Sequence, residues 1–145
     1  PDETGVAASA AAPRPAGQAS RRVLYVEDNV VNARIMEHIL RTLPQVELQV
    51  AGSAEDGLAR IRQDPPDLVL MDIHLPGMSG LDAMRTIRRD PRTADLPVIV
   101  VSAAAMGSDV QDGLDAGFRH YLTKPFDVEE LLKLVADTLR AVERN

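Results

Sequence analysis

The sequence contains no cysteine and no tryptophan, and it has only 2 tyrosines and 2 phenylalanines in 145 residues. Without cysteine, disulfide frameworks, thiolate catalysis and Cys-ligated zinc sites are all excluded. The few aromatic rings also leave little to stack on a flavin, so a flavin-binding domain is disfavoured. A reducing compartment is compatible with this composition.

Positive charge and long apolar runs are also scarce. Lys and Arg total 16 against 22 Asp and Glu, which gives a formal net charge of −6. The chain therefore lacks the basic field with which proteins attract nucleic acid backbones. No apolar run approaches the roughly 20 residues of a membrane span, and no signal-peptide pattern is present. These absences predict a cytoplasmic protein with no direct membrane contact and no nucleic acid partner.

Residues 1–20 are dominated by Ala, Pro, Gly and Ser and contain no Leu, Ile or aromatic residue. Such a segment buries too little apolar surface to offset the entropy lost on ordering. We therefore expect a flexible linker over 1–20 and one domain over 21–145, which matches the roughly 100–200 residues of a typical domain. Because the first residue is Pro1, we expect this linker to be the end of an interdomain connector.

From Arg21 onward, short β-branched runs alternate with stretches of helical period. The first helix carries Ile35, Met36 and Ile39 on one side. The predicted strands are 23–26, 46–51, 68–71, 98–101 and 121–123, and the predicted helices are 30–43, 53–64, 81–89, 108–116 and 127–142. Five β–α units with short connections predict an α/β fold, a doubly wound, five-stranded parallel sheet covered by helices on both faces.

Polar side chains end these strands, where ligands bind in open parallel sheets. They are Glu27 and Asp28 after the first strand, Asp72 after the third, Ser102 after the fourth and Lys124 after the fifth. Two carboxylates 4 Å apart repel by roughly 4 kcal/mol at an effective dielectric of 20, so the cluster needs cations. Lys124 supplies one positive charge, and Mg²⁺, which prefers oxygen ligands, supplies the rest.

Asp72 is the best candidate for a nucleophile, because the buried run before it fixes its position. Glu27 and Asp28 are then better placed as metal ligands. The Ser102 hydroxyl and the Lys124 amine can hydrogen-bond or neutralise phosphoryl oxygens. The expected product is an aspartyl phosphate at position 72.

The chain resembles the receiver domain of two-component response regulators, a flavodoxin-like fold, over roughly 21–144. The resemblance rests on four motifs, which are Val26-Glu27-Asp28-Asn29, Leu70-Met71-Asp72 with Leu75-Pro76-Gly77-Met78-Ser79-Gly80, Val100-Val101-Ser102-Ala103, and Lys124-Pro125-Phe126. It implies that Asp72 is the phosphoacceptor, that Glu27 and Asp28 are the acidic pair that holds Mg²⁺, and that the backbone carbonyl of His74 is a further ligand.

The resemblance also implies a switch and a partner. Ser102 would be the switch hydroxyl, Tyr121 the aromatic switch residue and Lys124 the phosphate contact, although Tyr121 alone serves equally well as a packing residue. The phosphoryl donor would be a phosphohistidine on a histidine kinase or a histidine phosphotransfer protein. Phosphorylation would change the surface of the predicted fourth helix, fifth strand and fifth helix, through which a weak homodimer also fits.

Such a domain catalyses its own phosphorylation and dephosphorylation without being a turnover enzyme. The Glu-Asp-Asn motif, Asn32 and the linker most resemble the C-terminal receiver of a hybrid sensor histidine kinase, and a stand-alone single-domain regulator is the alternative. A Mg²⁺-dependent phosphatase is disfavoured, because Ile73 and His74 provide no second carboxylate near Asp72. An adaptor that is never phosphorylated is disfavoured by the complete set of carboxylates, hydroxyl and lysine.

Overall fold

A computed structural model of the chain describes residues 21–73, 75–102, 115, 117–124 and 126–143. The predicted linker at 1–20 and His74 lie outside the described residues. So does the predicted helix at 108–116, apart from Asp115. None of the described helices combines the length and the apolar character that crossing a bilayer requires.

In the described part of the chain, five strands form one sheet. They are β1 (Arg21–Val26), β2 (Val46–Ala51), β3 (Leu68–Met71), β4 (Val98–Ser102) and β5 (His120–Thr123). Their order is β2-β1-β3-β4-β5, and every neighbouring pair is parallel. The strand order reverses between β1 and β3, and in doubly wound sheets this switch point is where ligands bind. The predicted doubly wound, five-stranded parallel sheet is therefore confirmed.

The described helices are α1 (Val30–Leu40), α2 (Ala54–Gln63), α3 (Gly80–Arg89) and α4 (Val128–Glu143), the last being the fifth predicted helix. Each begins at a polar capping residue. The side chains of Asn29, Ser53 and Ser79 each accept a hydrogen bond from the backbone three residues later. Asp127 caps α4 by accepting from two backbone N–H groups. These caps satisfy N–H groups that the helix itself leaves unpaired.

The core lies on both faces of the sheet, because successive strand residues point to opposite sides. Leu24 and Val26 face one half of the core, which α2 and α3 cover. Val23 and Tyr25 face the other half, which α1 and α4 cover. β3 and β4 are buried at every position, as their continuous apolar runs predict. The carboxyl ends of these two strands therefore start from fixed positions.

The first helix differs from its prediction in two ways. It ends at Leu40 rather than at Leu43. The backbone N–H groups of Thr42 and Leu43 bond to the carbonyls of Ile39 and Leu40, three residues back, and so tighten the chain into a turn. Ile35, which the sequence places on one side of the helix with Met36 and Ile39, is 49% exposed, whereas the other two are buried. Ile35 stands at the edge of the apolar arc of the helix, where it lines a surface cavity with Phe126.

Candidate functional site

Backbone hydrogen bonds continue the sheet past the strand ends and bring the predicted site residues to one edge. The Glu27 N–H donates to the Ala51 carbonyl at 2.9 Å, and the Asp72 N–H donates to the Val26 carbonyl at 3.2 Å. The Lys124 N–H donates to the Ser102 carbonyl at 2.8 Å. The side chains that follow β1, β3 and β5 are thus held in the register of the strands themselves.

Three carboxylates meet at this edge. One oxygen each from Glu27, Asp28 and Asp72 lies within 4.8 Å of the other two. Glu27 and Asp72 are buried, whereas Asp28 is exposed, so the cluster opens to solvent on the Asp28 side. The donor set consists of hard oxygen atoms only, which fits a cation such as Mg²⁺ and not a softer metal.

Lys124 bridges two of these acids. Its Nζ atom lies 2.5 Å from Glu27 Oε1 and 3.5 Å from Asp72 Oδ2. The lysine side chain is only 16% exposed, so little water separates it from its partners. A buried ion pair of this kind offsets part of the repulsion among the carboxylates.

Glu27 also receives hydrogen bonds from neutral groups. The Tyr25 hydroxyl donates to Oε1 at 2.9 Å, and the Asn32 amide donates to the same oxygen at 3.3 Å. The Asn29 N–H donates to Oε2 at 3.3 Å. Burial by itself raises the pKa of Glu27, but the hydrogen bonds from Lys124 and Tyr25 outweigh it and hold the pKa below its ordinary value. Glu27 is therefore ionised at neutral pH.

Tyr25 and Asn32 are contacts of the site that sequence reasoning missed. Burial, followed by the nearby Glu27 carboxylate, raises the pKa of the Tyr25 hydroxyl, which therefore stays protonated and can donate. The signal for Tyr25 is its spacing, because residues two apart on a strand share a face. The signal for Asn32 is its position in the first turn of α1, where the backbone N–H of Asn32 donates to the Asn29 side chain at 3.0 Å.

Ser102 and Tyr121 lie on neighbouring strands. Ser102 is fully buried at the end of β4, and Tyr121 is half-buried on β5 beside Val100. Because Ser102 is two residues after Val100, the register places Ser102 and Tyr121 on the same face of the sheet. Tyr121 packs there against the half of the core that α2 and α3 cover.

The first residue of α3 is packed against the backbone of Asp72. The Gly80 N–H donates to the Ile73 carbonyl at 3.2 Å. A Cβ at Gly80 would lie 2.6 Å from the Asp72 carbonyl oxygen and 2.7 Å from Ile73 Cα, which is closer than real Cβ contacts come. The absence of a side chain at position 80 therefore lets α3 start directly against the residues that follow β3.

The sequence matches the family model of the response regulator receiver domain over residues 23–136, which is most of the chain. The chain belongs to this family. Among its relatives, the receiver domain is 39% identical over 114 residues to the protein PilH of Pseudomonas aeruginosa, covering 79% of this chain and 93% of PilH. It is 37% identical over 130 residues to the DNA-binding transcriptional regulator RpaA of Synechocystis, covering 85% of this chain and 51% of RpaA. The receiver domain thus spans about half the length of RpaA.

A solved structure shares the fold of this receiver domain. It is the receiver domain of the sensor histidine kinase PA1611 from Pseudomonas aeruginosa, which has a magnesium ion coordinated in its active-site cleft. The two chains are 31% identical with a TM-score of 0.77, and the match covers 83% of this chain and 98% of the other.

Proposed function

We propose that this receiver domain accepts a phosphoryl group on Asp72 from a phosphohistidine of a histidine kinase or a histidine phosphotransfer protein. The observation that carries the proposal is the cluster of three carboxylates within 4.8 Å that Lys124 bridges from one side. This cluster combines a nucleophilic oxygen with charge that can neutralise phosphoryl oxygens.

The chemistry follows from the positions of these groups. A carboxylate oxygen of Asp72 attacks phosphorus, the new P–O bond forms as the P–N bond to the imidazole breaks, and the leaving nitrogen takes up a proton. Lys124, already 3.5 Å from Asp72, is close enough to pair with the incoming phosphoryl oxygens. Asp72 is buried and held by the backbone of β1, so little reorganisation precedes the attack.

Glu27, Asp28 and Asp72 would hold Mg²⁺, together with the backbone carbonyl of His74. When bound, the ion supplies positive charge that offsets the charge of the phosphoryl group. The receiver domain with magnesium in the PA1611 kinase supports this assignment, as does the all-oxygen donor set here.

Ser102 and Tyr121 would form the switch that reports phosphorylation. Both lie on the same face of the sheet on adjacent strands, so a displaced Ser102 side chain makes room that the Tyr121 ring can fill. The surface formed by the predicted helix at 108–116, β5 and α4 would then change its partners, and a weak homodimer would form through the same surface.

The proposed setting is the C-terminal receiver of a hybrid histidine kinase, with 1–20 as a linker and 21–145 as the domain. Similarity to the PA1611 receiver, which is part of a sensor histidine kinase, favours it. The alternative is a stand-alone regulator, which the match over 93% of PilH favours. A cytoplasmic location is proposed for either form.

The test is labelling with acetyl phosphate and Mg²⁺, read by intact mass. The wild type should gain one phosphoryl group with release of acetate, and Asp72→Asn should gain none. Asp82→Asn is the matched control, because Asp82 lies in the exposed first turn of α3 and should leave labelling unchanged. Equal labelling of the wild type and Asp72→Asn would contradict the proposal.

A further inference from the structure

We infer that Tyr25 and Asn32 are positioning residues for the candidate metal site, which they serve by holding the Glu27 carboxylate in one orientation. Their side chains bind Oε1 on the Lys124 side and leave Oε2 as the oxygen available to a cation. The inference rests on the proposed function, in which Glu27 is a metal ligand and Lys124 meets the phosphoryl oxygens.

The two oxygens of Glu27 have unequal surroundings. Oε1 accepts from three side chains, with Lys124 at 2.5 Å, Tyr25 at 2.9 Å and Asn32 at 3.3 Å. A carboxylate oxygen has about two lone-pair sites. The three donors therefore leave no lone pair of Oε1 for a metal ion. Within the described residues, Oε2 accepts only from the Asn29 N–H, at 3.3 Å. Oε2 therefore keeps a lone pair that a cation can use.

The neutral donors matter because Lys124 is shared. Its Nζ atom also contacts Asp72 Oδ2 at 3.5 Å, and it is the group proposed to meet the phosphoryl oxygens. When Lys124 turns towards a phosphoryl group, Glu27 Oε1 loses its charged donor. Among the described site residues, the Tyr25 hydroxyl and the Asn32 amide bond only to Glu27, so they can hold its carboxylate when Lys124 turns away.

Both donors are fixed by the fold. The Tyr25 side chain is 1% exposed and is packed in the half of the core that α1 and α4 cover, so its hydroxyl has little freedom to turn away. Asn32 lies in the first turn of α1, and its backbone N–H is bound by the N-cap Asn29. Partners of this kind orient metal ligands, and their loss commonly weakens metal binding by about 10–100-fold.

The experiment is calorimetric titration of the folded protein with MgCl₂ alone. Tyr25→Phe removes the hydroxyl and keeps the buried ring, and Asn32→Ala removes the amide from a half-buried position. Each variant should raise the Kd for Mg²⁺ by roughly 10-fold. Thr93→Val is the matched control, because it deletes a buried hydroxyl that donates to Ile87 at 2.7 Å, and neither residue belongs to the site. It should lower Tm and leave the Kd unchanged.

The outcomes separate the inference from the proposed function. If the wild type binds Mg²⁺ and both variants bind it with the same Kd, the positioning role is overturned while Asp72 labelling still stands. If the wild type binds no Mg²⁺, the inference also fails. A change in Tm without a change in Kd in both variants would mean that the two hydrogen bonds serve only stability. Asn32→Ala keeps the test decisive if Tyr25→Phe folds poorly.

Discussion

Lys124 Nζ and Glu27 Oε1 lie 2.5 Å apart although 97 residues separate them in the chain. The lysine is thus closer to a predicted metal ligand than to the predicted phosphoacceptor. Because Glu27 is almost wholly buried, this ion pair is the main charge compensation of its carboxylate. The stability of the domain therefore depends on this ion pair.

Replacing the lysine should destabilise the protein. Lys124→Ala leaves a buried carboxylate without its cation, and breaking such a pair costs about 3–5 kcal/mol. The measurement is urea unfolding at pH 7, where the free energy of unfolding should fall by this order. Lys133→Ala is the matched control, because Lys133 is the other lysine of the sequence and lies exposed on α4. An equal fall in the free energy of unfolding for both variants would contradict the stabilising role of the Lys124–Glu27 pair.

Mg²⁺ should raise the Tm of the wild type, because a ligand that binds only the folded state stabilises it. At a concentration of about 100 times Kd, the gain is about 2.7 kcal/mol. Asp28→Asn removes one carboxylate of the cluster and should show a much smaller rise. Asp137→Asn on α4 is the control and should respond to Mg²⁺ as the wild type does. Identical shifts in Asp28→Asn and the wild type would contradict the metal site.

Gly80→Ala should displace the backbone of Asp72 and Ile73 at the end of β3. The added Cβ meets the backbone of Asp72 and Ile73 at 2.6 and 2.7 Å, and backbone atoms cannot turn away as a side chain does. Overpacking of this kind costs about 1–3 kcal/mol. Both the free energy of unfolding and the rate of labelling by acetyl phosphate should fall. Gly52→Ala is the control, since its Cβ would meet nothing within 4 Å, and an unchanged labelling rate in Gly80→Ala would refute this role.

The pairing of Arg22 with Asp64 should make stability depend on pH in the acid range. The hydrogen bond from Arg22 holds the pKa of Asp64 below its ordinary value. The unfolded chain therefore binds this proton more readily, and the stabilisation is fully present above the unfolded pKa of about 3.9 and is lost as pH falls through the lower folded value. The Asp64 side chain is 65% exposed, so screening limits the effect to about 1 kcal/mol or less.

Urea unfolding of Asp64→Asn checks this dependence. The variant should be less stable than the wild type at pH 7, and the difference should shrink between pH 4 and pH 2. Asp56→Asn is the comparison, because Asp56 forms an exposed ion pair with Arg60 one turn later on α2. A difference for Asp64→Asn that stays constant with pH would speak against the role of Arg22.

The sheet and the edge where the acids meet could be predicted from the sequence. The continuous apolar runs of β3 and β4 and the caps at Ser53 and Asp127 are local signals, and parallel strands end at one edge. The pairing of Lys124 with Glu27 could not be predicted, because it depends on side-chain packing between distant segments. The Tyr25 hydroxyl was missed although its spacing of two residues from Glu27 is a local signal. The roles of the predicted site residues stay predictions, namely those of Glu27, Asp28, Asp72, His74, Ser102, Tyr121 and Lys124.

The pairing of Lys124 with Glu27 also has a consequence for the newly made protein. During translation the three acids leave the ribosome before Lys124, which directly follows β5, so an incomplete chain holds the carboxylates without their lysine. We therefore expect the acidic cluster to gain its lysine only after β5 has emerged and docked beside β4. Completion of this edge of the sheet therefore comes late in the synthesis of the domain.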